Sequence, residues 1–176
     1  VRCLGVLVGL AVVFVCIGFV EYATRSLLLN PKVIASNQFE DYFRVNSLFF
    51  DPNIYGRFLA TVMLLLTAVL LWARRPRVIA ACAVLLAVLW GGLVLTLSQS
   101  SFTGLLAGLV VLAALRWGTK PALAAAAAVL AVGAAVALAA PGEVGLDQDA
   151  NDATSGRSAL IEGGVSLAAD EPLVGY

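Results

Sequence analysis

The sequence predicts an all-α protein, a polytopic transmembrane helical bundle of about five spans with outward loops that carry short helices. Three observations predict it. Of 176 residues, 61% are hydrophobic and 12% are charged, against about 45–50% and 25% in a soluble globular domain. Mean hydropathy is +0.98. The charges are gathered into clusters, which leaves uncharged runs near the ~20 residues that a helix needs to cross hydrocarbon. The same arithmetic excludes disorder, coiled coil, collagen and a disulfide-rich secreted scaffold. His is absent, so these residues offer neither imidazole ligands nor Ser–His or Cys–His catalysis. Cys3, Cys16 and Cys82 lie far apart in apolar runs and read as small buried hydrophobes rather than disulfide or metal partners. No metal, cofactor or nucleic acid is expected, the last because no water-facing segment carries a basic patch.

The elements follow in order. Residues 3–20 form an uncharged run between Arg2 and Glu21, read as a retained span because no Ala-x-Ala-like cleavage site follows Val20. The second span, 52–73, contains only Arg57 and is closed by Arg74-Arg75-Pro76-Arg77. Then come 38 residues without a charge, Val78–Leu115. As one helix they would reach about 57 Å, nearly twice the hydrocarbon thickness, so they must fold back. Ser98-Gln99-Ser100-Ser101 is the only polar cluster available for the turn, giving spans at 78–97 and 102–116. A fifth span, 122–140, is Ala-rich and bracketed by Pro121 and Pro141-Gly142. The chain opens on Val1, holds one Met and stops at Tyr176; it reads as a single membrane domain cut from a longer protein.

Basic residues in short loops set orientation. If five spans alternate, Arg2, Arg74, Arg75, Arg77, Arg116 and Lys120 share one face. Five bases and all eleven acids share the other, for charges of +6 and −6. The expected topology puts the N-terminus inside and the C-terminal tail outside. Trp72 and Trp117 near inner ends, and Tyr22 and Tyr55 near outer ends, read as interfacial anchors. Gly5-x-x-x-Gly9 and Gly104-x-x-x-Gly108 read as stripes for close helix contact.

Three segments face outward. The loop 21–51 ends in Asp51-Pro52, an N-cap followed by proline at the first helical position, which sets Asn53 and Arg57 one turn apart on one helix face. Arg57 is either an interfacial snorkeller or a functional cation. The serine cluster is either a plain hairpin with Ser100 or Ser101 as N-cap, or the floor of a polar cavity below the membrane surface. The tail 141–176 carries an acidic stretch and then a short amphipathic helix after Thr154 or Ser155. Its only base, Arg157, is an ion-pair partner or an anion contact.

These pieces, in this order, resemble the O-antigen ligase family and the related lipid-linked polysaccharide polymerases. The resemblance rests on Arg44-Val45-Asn46-Ser47-Leu48-Phe49-Phe50-Asp51-Pro52-Asn53 entering a span, on Leu95-Thr96-Leu97-Ser98-Gln99-Ser100 at an outer hairpin, and on Ser155-Gly156-Arg157 followed by Pro172-Leu173-Val174-Gly175. It implies a glycosyltransferase that needs no metal. Such a protein moves a glycan from an undecaprenyl-pyrophosphate carrier to a glycan, lipid or protein acceptor at the outer face of the cytoplasmic membrane. On that resemblance Arg57 and Arg157 hold the pyrophosphate, Arg44 is a secondary contact, and Asn53, Ser98, Gln99 and Ser100 shape the pocket. Two departures stand out. Gln99 occupies a place that is basic in many relatives, and the His that activates the acceptor would lie beyond Tyr176. The rival readings are a permease or exporter, for which mid-span charges and paired broken helices are lacking, and a non-catalytic membrane subunit.

Overall fold

The computed structural model describes residues 2–28, 43–139 and 163. Among the described residues the regular structure is helical: α1 (Arg2–Thr24), α2 (Pro52–Trp72), α3 (Pro76–Thr96), α4 (Gln99–Trp117) and α5 (Thr119–Ala139). Helices are the expected solution, because an apolar segment in hydrocarbon must satisfy its backbone polar groups within itself. The first four are each long and apolar enough to cross a membrane. The predicted fifth span falls on α5, a helix of 21 residues whose described apolar stretch is Thr119–Val132. The chain divides into two compact units, Val1–Ala124 and Ala125–Tyr176. The described part of the second is the remainder of α5 and Gly163.

Within the first unit α2 is the hub and packs on α1, α3 and α4, while α1 also packs on α3. The shared core comprises Ala11 and Val15 of α1, Tyr55, Leu59, Val62, Met63 and Leu66 of α2, Cys82, Leu89 and Leu93 of α3, and Leu105 of α4. The outward faces remain apolar, with Val6, Val13, Val84, Val111 and Leu115 exposed, as a bilayer-facing bundle requires. Glycines let the helices approach, although in part not the predicted ones. Among the described residues, nothing lies within 4 Å of a Cβ placed at Gly5, Gly9 or Gly104. At Gly108, a Cβ would sit 2.5 Å from Leu64 of α2, and at Gly92 it would sit 2.6 Å from Val15 of α1. The small-residue seat between α1 and α3 is therefore on α3.

Helix limits differ from the sequence expectation where polar side chains find partners. The first helix runs one turn past Val20 because the Glu21 carboxylate is taken into the protein. The fourth begins at Gln99 rather than 102, since the serines form its first turn, and its 19 residues remove the apparent shortness of that span. Pro121 lies inside the first turn of α5 rather than before it, where the missing N–H is harmless. Tyr55, read as an interfacial anchor, is fully buried. Cys82 is buried as expected, but Cys3 and Cys16 are exposed on the bundle's outer surface. The described parts of the loop 21–51 hold no helix beyond the end of α1. Arg157 and the predicted tail helix, apart from Gly163, which is helical, lie outside the described residues.

Candidate functional site

The polar residues converge at one end of the bundle, where α1 ends, α2 begins and α3 turns into α4. Asp51 starts α2 as predicted: its carboxylate accepts from Asn53 N–H at 2.6 Å, and Pro52 takes the first helical position. The turn from α3 to α4 is tight. Leu97 adopts the left-handed conformation at φ 49°, and its N–H donates to Val94 O at 3.1 Å. Ser98 follows as the N-cap residue of α4.

A helix end leaves carbonyls without intrahelical donors, and the segment before α2 supplies donors to α3. Val45 N–H donates to Leu95 O at 3.1 Å. Arg44 Nε donates to Thr96 O at 3.1 Å, and its Nη2 donates to Asn53 Oδ1 at 3.2 Å. A guanidinium at a helix C-terminus also meets the negative end of the helix dipole. Arg44 thus joins the last turn of α3 to the first turn of α2.

Below Asn53, the serine turn is pressed against α2 at Gly56. A Cβ there would meet Ser101 Oγ at 2.6 Å, with Ser101 Cβ and Ser98 Cβ each at 3.1 Å. Ser98 Oγ lies 2.8 Å from Ser101 Oγ and 3.3 Å from Ser100 Oγ, and Ser101 Oγ reaches Asn53 O at 3.5 Å. Ser98 and Ser101 are buried, so their hydroxyls serve the α2–α4 contact; Gln99 and Ser100 are exposed. The N-cap is Ser98, not the predicted Ser100 or Ser101.

On the other side the segment packs onto α1. Glu21 is 1% exposed. Its Oε2 accepts from Ser47 N–H at 2.8 Å and its Oε1 from Leu28 N–H at 3.1 Å. Ser47 Oγ donates to Phe14 O at 2.8 Å, and Tyr55 Oη donates to the same carbonyl at 3.2 Å. Phe49 stacks on Tyr55 at a centroid distance of 5.5 Å and meets Phe14 edge-on at 5.2 Å. Arg25 lies 4.6 Å above the Tyr22 ring and 5.5 Å from that of Phe43.

Of the sequence-predicted residues, Arg44, Asn53, Ser98, Gln99 and Ser100 come together here, with Arg57 one helical turn below Asn53. The Arg57 guanidinium is exposed, and no hydrogen bond or ion pair joins it to another described residue. Glu21, Ser47, Thr96 and Tyr55 hold the site together and were not foreseen in that role. One signal was available for the first of them. Gly18 lies one turn before Glu21, on the face where Val45 and Tyr55 approach. Among the described residues no three His, Cys, Asp or Glu side chains cluster to hold a metal.

No family model, curated protein or solved structure matches this chain.

Proposed function

We propose that this chain is the membrane portion of a glycosyltransferase of the O-antigen ligase and polymerase type. It would act at the outer face of a bacterial cytoplasmic membrane on an undecaprenyl-pyrophosphate-linked glycan. The observation that carries the reading is the contrast between two arginines, Arg44 in the segment before α2 and Arg57 in the second turn of that helix. Arg44 is held by the α3 terminus and Asn53, whereas Arg57, one helical turn along α2 from Asn53, is exposed. In the transfer, the acceptor oxygen bonds to the anomeric carbon as the bond to the carrier's phosphate breaks. The electron pair of that bond stays on the diphosphate, and the acceptor's proton leaves to a base. Charge develops on the diphosphate, and a permanently charged guanidinium matches its oxygens bidentately. Arg57 takes this role, Arg157 supplies a second cation from the tail, and Arg44 acts through its hold on Asn53. Gln99 and Ser100 offer amide and hydroxyl groups at the rim.

A positioned donor of this kind is worth about 2–4 kcal/mol in the transition state. The full-length protein reconstituted with a lipid-pyrophosphate glycan and its acceptor tests the reading. Arg57→Ala should lower transfer by about a hundredfold or more while thermal unfolding in detergent is unchanged. Near-normal transfer by that variant would end the proposal.

A further inference from the structure

The opposite end of the first unit has a different chemistry. Between Asp51 and Glu143 the chain contains no acid, yet it places Arg74, Arg75, Arg77, Arg116 and Lys120 in that interval. Two adjoining hollows open where the α2–α3 turn meets the end of α4. One, of about 290 Å³, is lined by Leu71, Trp72, Ala73, Arg74 and Arg116. The other, of about 490 Å³, is lined by Val69, Trp72, Ala73, Arg74, Arg75 and Val78. Trp72, Ala73 and Arg74 belong to both. Arg116 is steered toward the smaller hollow by its Nε–H, which donates to Leu71 O at 3.4 Å. The arginines are exposed, and no ion pair joins them to a described residue.

One guanidinium from the α2–α3 turn, Arg74, and one from α4, Arg116, line the same cleft; with no acid in the surrounding sequence, they call for an anion. The apolar wall of Val69, Trp72 and Val78 beside them calls for hydrocarbon attached to that anion. Basic hollows between helices at a membrane surface suit acidic lipid headgroups, and an indole suits the same interface.

We infer that this cleft is a binding site for an anionic phospholipid of the bilayer, with its phosphate between Arg74 and Arg116 and its glycerol and first acyl carbons along Val69, Trp72 and Val78. The site is independent of glycosyl transfer and of which way the bundle faces.

Native mass spectrometry of the full chain in detergent tests it, with phosphatidylglycerol, phosphatidylcholine or inorganic phosphate titrated in. Phosphatidylglycerol should be retained and phosphatidylcholine lost. Arg74→Gln with Arg116→Gln should weaken retention about 25-fold, about fivefold for each cation removed. Arg74→Lys should recover part of the loss. Arg77→Gln removes a charge from the first turn of α3, outside the lining of either hollow, and should change retention by less than about twofold. Equal retention of phosphatidylcholine, or an Arg77→Gln loss as large as that of Arg74→Gln, would overturn the site. Displacement of phosphatidylglycerol by millimolar inorganic phosphate would reassign the cleft to a soluble anion and overturn the lipid assignment. Elution of each variant at the wild-type size shows that a lost lipid is not a lost fold.

Discussion

The two ends of the bundle handle polarity in opposite ways. At the α1–α2–α3 junction, polar groups are buried or half-buried and meet one another: Glu21 accepts from the backbone of Ser47 and Leu28, Arg44 donates to Thr96 and Asn53, and Ser98 pairs with Ser101. At the α2–α3 turn the arginines are exposed, without acids near them in sequence. An end whose hydrogen bonds nearly all close within the chain, with the buried Asn46 Oδ1 alone left without a partner among the described residues, is rigid by itself and suits a preorganised site. An end whose cations meet no counter-charge among the described residues is completed by something else. The difference predicts where substitutions damage folding and where they damage only binding.

The largest effect should come from Glu21. Glu21→Leu removes the acceptor of the buried Ser47 N–H and of the part-buried Leu28 N–H, and a buried donor left unpaired costs about 1–3 kcal/mol. We expect a loss of about 1–4 kcal/mol by thermal unfolding in detergent, the exposed Leu28 adding the smaller share, with faster tryptic cleavage after Arg44 as the segment 43–50 leaves α1. Glu21→Gln keeps one acceptor oxygen and should fall between. Arg75→Gln at the other end should stay within about 0.5 kcal/mol, as exposed substitutions do. Equal losses at Glu21 and Arg75 would erase the contrast between the ends.

Gly56→Ala comes next. The new methyl meets the serine turn, and overpacking of this kind costs about 1–3 kcal/mol. Ser101→Ala in the same chain removes the nearest atom and should return part of the loss, with a coupling of about 0.5 kcal/mol or more between the two sites. Strict additivity would mean that the serine turn yields freely and that this end is less rigid than its hydrogen bonds imply. Arg44→Met should cost about 1.5–3 kcal/mol, the range for hydrogen bonds made by a charged group. Arg44→Lys should recover only part, because an ammonium lacks the planar fork that reaches Thr96 O and Asn53 Oδ1 together.

Much of this architecture was legible in the residues, because hydrocarbon allows few solutions. Charge-free runs, the Asp51-Pro52 start and the need for Val78–Leu115 to fold back located the helices. What escaped the sequence was whether a polar residue at a span end faces out or in. Glu21 borders an apolar run as a loop acid would, and only the return of Ser47 against α1 turns it inward. Tyr55 has the position of an interfacial anchor, but the cleft left by Gly18 takes its hydroxyl to Phe14 O. Gly5-x-x-x-Gly9 has the spacing of a contact stripe, yet the helix that could fill it does not pack there. Spacing shows which residues share a face; it does not show which neighbour meets that face. The candidate site was therefore readable as a cluster of residues, and its division into Arg44, which holds, and Arg57, which is exposed, was not.

The smallest effect concerns backbone strain, and it separates the ends again. Among the described residues, the non-glycine residues with positive φ are Arg25, Ser47 and Leu97, all in the polar junction, whereas the turn after α4 uses Gly118 at φ 98°. A side chain in the left-handed region costs about 1–2 kcal/mol, and such strain persists where surrounding contacts over-determine it. Leu97 is 42% exposed, so Leu97→Gly gives up little packing. It should relieve the strain, offset in part by the roughly 0.5–1 kcal/mol that glycine's extra freedom costs on folding. The net expectation is a gain of up to about 1 kcal/mol in thermal unfolding. Gly118→Ala should instead lose about 1 kcal/mol, since alanine at φ 98° acquires the strain that glycine avoids. If Leu97→Gly destabilised the bundle while Gly118→Ala did not, the strain would not lie at the polar junction, and the contrast between the two turns would fail with it.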